Sequence, residues 1–90
     1  MTPLGPETMP RLWRLARLDF DPVRQRHVLL YPEGAVLLND TGAAILELCN
    51  GSRTVDQIVG ILSERYQADV SADVTEYLSR MAERELVRAG

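Results

Sequence analysis

The segment "HVLLYPEGAVLLNDTGAAILEL", from His27 to Leu48, changes its hydrophobic period part-way along. That change restricts the folds open to the chain. Its first half reads as two extended runs, with Val28–Tyr31 as the apolar centre of one and Ala35–Leu38 as the other. Pro32-Glu33-Gly34 separates them as a turn. Its second half has helical spacing: Thr41, Ile45, Leu48 and Cys49 stand at relative positions 0, 4, 7 and 8, one face of a helix. Asn39 or Asp40 supplies the N-cap, because both side chains accept hydrogen bonds from free backbone N–H groups. Asn50-Gly51 supplies a left-handed stop. A strand pair that runs directly into a helix implies an α+β chain.

The flanking sequence extends the pattern. Arg14 to Phe20 alternates loosely, with Ala16, Leu18 and Phe20 on one face, and Asp21-Pro22-Val23-Arg24 reads as a type I turn. With Arg26–Tyr31 this makes a three-stranded antiparallel sheet, too small to be stable without helices on one face. "TVDQ" opens a second helix as a capping box, with Thr54 as the cap and Gln57 reaching back. Val55, Ile58, Val59, Leu62 and Tyr66 then form its apolar stripe. Ser71 is expected to cap a third helix running to about Arg84, with Val74, Leu78 and Met81 facing inward and Ala82 beside them. Leu86 and Val87 close the core. The expected fold is α+β and winged helix-turn-helix-like, a three-stranded antiparallel N-terminal sheet followed by a three-helix bundle. Residues 1–10, with three prolines and a glycine, read as a flexible N-terminal tail, and residues 11–90 as a single domain.

Ninety residues, 46% hydrophobic and 26% charged with a net charge of -3, make one folded unit with a thin core. Arg11, Arg14 and Arg17 interrupt any signal-like apolar run near the N-terminus, and no stretch approaches membrane-spanning length. With a single cysteine, Cys49, a cytoplasmic location is expected. One His and one Cys, 22 residues apart, are too few for a metal centre. His27 reads as a strand surface residue and Cys49 as a small core residue. Glu33 and Asp40 are explained by a turn and a helix start. No phosphate-binding loop is present, and no catalysis is expected. DNA binding by the third helix is disfavoured, because Asp73, Glu76, Glu83 and Glu85 outnumber Arg80 and Arg84 and would repel phosphates.

The remaining function class is recognition of a peptide or protein. A three-stranded sheet leaves edges whose N–H and C=O groups lack partners, and an edge can accept an added strand. Ala35, Val36, Leu37 and Leu38 are apolar, free of proline and free of charge. On the third helix Asp73, Tyr77, Arg80 and Arg84 share a stripe. Tyr77 offers apolar area with a polar tip, and arginines pair carboxylates bidentately. A solvated face with a Glu76–Arg80 ion pair explains the same stripe more plainly. The peptide-binding candidates are Ala35, Val36, Leu37, Leu38, Tyr77, Arg80, Met81 and Arg84.

"HVLLYPEG", "LNDTGAAILELCNG" and "TVDQIVGILSERY", in this order and spacing, resemble the PqqD family. The resemblance covers roughly Leu15 to Val87; the "LN-x-T" helix start and the "G-x-x-T" before the next helix are shared by the broader PqqD-like group, and the "YPEG" turn is more particular to the PqqD family itself. It implies a non-enzymatic peptide chaperone of pyrroloquinoline quinone (PQQ) biosynthesis. Such a protein binds the precursor peptide PqqA by adding it as a strand to the third strand, against the third helix. It presents the peptide to PqqE, a radical S-adenosylmethionine enzyme. Any iron–sulfur or radical cofactor would belong to PqqE, and none is expected here. The outer faces of the first two helices, including Glu47, Arg53, Asp56 and Glu64, are candidates for meeting PqqE. Two other readings stay open: a leader-peptide recognition element of another modified-peptide pathway, and a DNA-binding winged-helix regulator. The thin core and open edge allow either a monomer or a domain-exchanged homodimer.

Overall fold

A computed structural model describes residues 4–89. Met1–Pro3, the start of the expected tail, and Gly90, the end of the expected domain, lie outside the described residues. The elements follow one another as β1 (Pro10–Leu12), β2 (Arg17–Asp21), β3 (Arg26–Tyr31), β4 (Gly34–Leu38), α1 (Asp40–Glu47), α2 (Val55–Tyr66), α3 (Ser71–Glu83) and β5 (Val87–Ala89). The fold is α+β. Its three-stranded antiparallel sheet has the order β2-β3-β4.

The two hairpins of that sheet are set by local chemistry. At the β2–β3 turn, the Asp21 carboxylate accepts from the backbone N–H groups of Val23 at 3.0 Å and Arg24 at 3.3 Å. This is the side-chain-closed turn that Asp favours. At the β3–β4 turn, Pro32-Glu33 is closed by the Tyr31–Gly34 pair. One sheet face, carrying Leu29 and Leu38, packs on α1 and joins the core. Phe20 departs from the expected inward face: it is 48% exposed, because it lies near the hairpin end of β2, past Leu18, which is the residue of that face that packs against the core. Its ring meets His27 edge-on, with centroids 5.2 Å apart. His27 is therefore half-buried, where the sequence suggested a surface position.

Asn39 is the N-cap of α1, its side-chain oxygen accepting from the Gly42 N–H at 2.7 Å. The helix is buried over Gly42–Leu46, a wider face than the expected stripe, because it lies between the sheet and α2. Thr41 consequently faces solvent. The capping box of α2 is formed from both sides, at 3.0 Å to Thr54 Oγ1 and 2.8 Å from the Thr54 N–H to Gln57 Oε1. Val55, Ile58 and Leu62 are buried, but Tyr66 is 42% exposed, since α2 outruns the core by a turn. Ser71 does not cap α3. The N-cap is Val70, without a side-chain bond, and Asp69 instead accepts from the Ser71 N–H at 2.9 Å. Val74, Leu78 and Met81 are the buried stripe of α3.

A second, two-stranded sheet was not expected. β1 and β5 pair antiparallel, Pro10 with Ala89 and Leu12 with Val87. Pro10, placed in a tail by the sequence, is buried and opens a strand. The segment before it is tied to the start of α2, where the Val55 N–H donates to Thr8 O at 2.8 Å and the Asp56 N–H to Pro6 O at 3.0 Å. Unsatisfied first-turn N–H groups of the helix supply the donors.

Candidate functional site

β4 pairs with β3 on one side and, among the described residues, with nothing on the other. Ala35 and Leu37 are exposed, Val36 is half-buried and Leu38 is buried. The strand is an edge without charge or proline, and so lacks the devices that keep another strand away.

Two contacts place α3 beside this edge. Tyr77 lies over Gly42, one turn beyond the Leu38 end of β4. At the other end, the Arg84 guanidinium donates to the Tyr31 Oη at 3.2 Å, and Tyr31 is the partner of Gly34. The helix therefore runs from near the Leu38 end toward the Gly34 end of the sheet, and the surface between helix and edge strand is called the groove below. Beyond the Leu38 end a cleft of about 280 Å³ opens between the start of α1 and α3, bordered by Asn39, Gly42, Asp73, Glu76, Tyr77 and Arg80.

The candidates divide by geometry. Ala35, Val36 and Leu37 offer backbone and side chains on the edge, whereas Leu38, 3% exposed, offers backbone alone. Tyr77, Arg80 and Arg84 follow one another along the helix beside the groove. Met81 does not join them. It is 6% exposed and belongs to the core, because a residue one position past Arg80 is turned by about 100° on a helix. Arg80 is held by Glu76 at 2.9 Å, with both side chains largely exposed, the i,i+4 pair expected from the spacing. Arg84 has no carboxylate within 4 Å among the described residues.

Burial raises the pKa of Tyr77; the positive charges of Arg80 and Arg84 oppose that rise. Its phenol is thus neutral at physiological pH and can both donate and accept. Sequence reasoning overlooked Tyr31, Asn39 and Gly42 as parts of the groove. The alternation that puts Leu29 on the inner face puts Tyr31 there too, and this was the available signal. Among the described residues, no cluster of three or more His, Cys, Asp or Glu is arranged to hold a metal, and no helix is long and apolar enough to cross a membrane.

The family model described as Coenzyme PQQ synthesis protein D (PqqD) matches residues 26–87. A PqqA binding protein of Methylococcus capsulatus is 45% identical over 76 residues, covering 83% of this chain and 82% of that protein. Another, of Azotobacter vinelandii, is 43% identical over 81 residues, with 88% of each covered. Among solved structures, the solution NMR structure of the PqqD truncation of Methylobacterium extorquens PqqCD is similar, with a TM-score of 0.75 and 43% identity over 88% of this chain and 87% of that one. That truncation is a functional, stand-alone recognition element for ribosomally synthesized and post-translationally modified peptides.

Proposed function

Since the chain belongs to the PqqD family, we propose that it binds the PQQ precursor peptide PqqA by strand addition to β4 and presents it to PqqE in the cytoplasm. The observation that carries this reading is the free edge of Gly34–Leu38 lying beside α3. In the winged helix-turn-helix description of such folds, β2-β3-β4 is the wing and α2–α3 the helical pair, and the peptide enters between wing and last helix.

Strand addition recognises backbone, so a modest set of side chains suffices for orientation. Tyr77 contributes area at low entropic cost, having only two side-chain torsions to fix. Capture in an extended form orders the peptide before it meets PqqE, which lowers the entropic cost of placing it in the enzyme. A protein that holds both partners also raises the local concentration of substrate. The role is binding, and no residue of this chain needs to act on a covalent bond. PqqE would meet a face away from the groove. The outer side of α2 offers one, with Arg53, Gln57, Ile61 and Glu64 around a shallow depression at Gly60.

Titration of isotope-labelled protein with PqqA, followed by NMR, tests the reading. Shifts concentrated on Ala35–Leu38 and on Tyr77, Arg80 and Arg84 are expected. Absence of binding both with and without PqqE would overturn it.

A further inference from the structure

We propose that Arg84, held by Tyr31, forms a carboxylate-receiving subsite at the Gly34 end of the groove, which sets the direction and register of the docked peptide. This rests on the peptide-docking reading above and adds the chemistry of one side chain of the ligand.

Arg84 stands at the C-cap of α3, and its guanidinium donates to Tyr31 Oη at 3.2 Å. That bond joins the end of α3 to the residue paired with Gly34, so the cation is fixed where the docking edge begins. Of the two arginines on the helical stripe, Arg80 is already paired with Glu76 at 2.9 Å. Arg84 has given one donor to the Tyr31 hydroxyl. A guanidinium carries five N–H donors in a planar fork, and those remaining match the two oxygens of a carboxylate. A long side chain already restrained by a phenol loses less freedom on pairing than a free one.

The neighbouring groups do not occupy it. Glu33 and Glu85 border the same depression, but neither comes within 4 Å of Arg84. Arg88 is engaged elsewhere, 5.5 Å from the centre of the Trp13 ring and donating to Glu85 O at 3.3 Å. At the opposite end the cleft at Asn39 is bordered by Asp73, Glu76 and Arg80, and because Arg80 is engaged by Glu76, Asp73 is left as the unpaired charge there among the described residues. A peptide acid is repelled there and attracted at Arg84. Antiparallel addition to β4 runs the peptide from the Leu38 end to the Gly34 end. The acid therefore falls at the C-terminal end of the docked segment. Shifting the strand by one residue would turn the acid to the other face, so a single ion pair is enough to select the register.

Calorimetric titration of the native chain and Arg84→Gln with PqqA tests this. The peptide is also made with each Asp or Glu changed in turn to its amide, and with an amidated C-terminus. One of these changes is expected to weaken native binding about five- to tenfold, in the range of a charge-assisted hydrogen bond at a partly exposed site. Arg84→Gln should lose a similar factor with unaltered PqqA and lose nothing further with that one amide variant. Tyr31→Phe, which keeps the ring, should lose a smaller factor through the same acid. Equal losses for every peptide variant, or native affinity in Arg84→Gln, overturn the subsite while leaving strand addition intact. Failure of the native chain to bind PqqA overturns both.

Discussion

Tyr77 crosses α1 at Gly42, its phenol oxygen 2.9 Å from where a Cβ on residue 42 would stand. The glycine is thus a seat for the tyrosine that borders the groove. Gly42→Ala gains about 1 kcal/mol of helix propensity but must push the half-buried ring aside. The two effects oppose one another in stability, so the thermal midpoint should move by only a few degrees. The affinity for PqqA should fall, because Tyr77 is displaced along the groove. In a Tyr77→Ala background only Asn39 Oδ1, 3.1 Å from the added Cβ, still opposes it, so the same substitution should be more favourable there than in the native chain, which denaturant unfolding would measure.

Leu37 pairs with Val28 and Val36 with Leu29. In an antiparallel ladder, neighbouring residues alternate in whether their backbone groups face the partner strand or the free edge. Proline at the position facing outward should leave the fold intact and lower PqqA affinity about tenfold or more by removing a donor. Proline at its neighbour should break the β3–β4 ladder. Amide hydrogen exchange assigns the two positions independently, and circular dichroism separates the outcomes.

Cys49 is 4% exposed, and its thiol donates to Ile45 O at 3.3 Å. Burial pushes its pKa up from 9.0 to about 12. The folded state thus holds the proton more tightly than the unfolded chain. The associated stability is fully present below pH 9, then is lost as pH rises toward 12, by up to about 1.4 kcal/mol per pH unit. Cys49→Ala should flatten that alkaline decline. At neutral pH the native thiol should resist alkylation until denaturant exposes it, which mass spectrometry would follow.

Removing the residues through Leu12 deletes β1 and the acceptors Thr8 O and Pro6 O, which satisfy the start of α2 at 2.8 and 3.0 Å. A loss of about 3 kcal/mol is expected from several such bonds, read by urea unfolding. The β4 edge is untouched, so the truncated chain should still bind PqqA at temperatures where it remains folded.

What the sequence disclosed followed the range of the forces involved. The Thr54–Gln57 capping box and the Asp21 turn are made by residues three apart or closer, and they were legible. So was the Glu76–Arg80 pair. The pairing of Pro10 with Ala89 was not, since three-residue strands at opposite ends of the chain carry no readable period. Tyr66 and Phe20 fit an inward pattern yet end exposed, because periodicity states which face a residue shares but not where the core stops. In the groove, the edge strand and the Tyr77–Arg84 stripe could be named from spacing. The bond from Arg84 to Tyr31 spans 53 residues and depends on how α3 is laid beside the sheet. Met81 was read both as an inward residue of the third helix and as a groove candidate; only the inward reading fits its burial, because a helix turns it away from its neighbour Arg80.

The pairing of Pro10 with Ala89 also brings the first and last strands of the described fold side by side. A unit whose ends leave together can be spliced into a loop of a larger polypeptide with little strain on the host, because the gap it must bridge is short. The same closeness allows the ends to be joined by a brief linker and the chain reopened at the exposed Pro22–Gln25 turn, far in sequence from Arg84. The fold is in this sense portable, an insertable cassette whose position in a host chain is free to vary while the edge of β4 and the outer face of α3 stay unchanged.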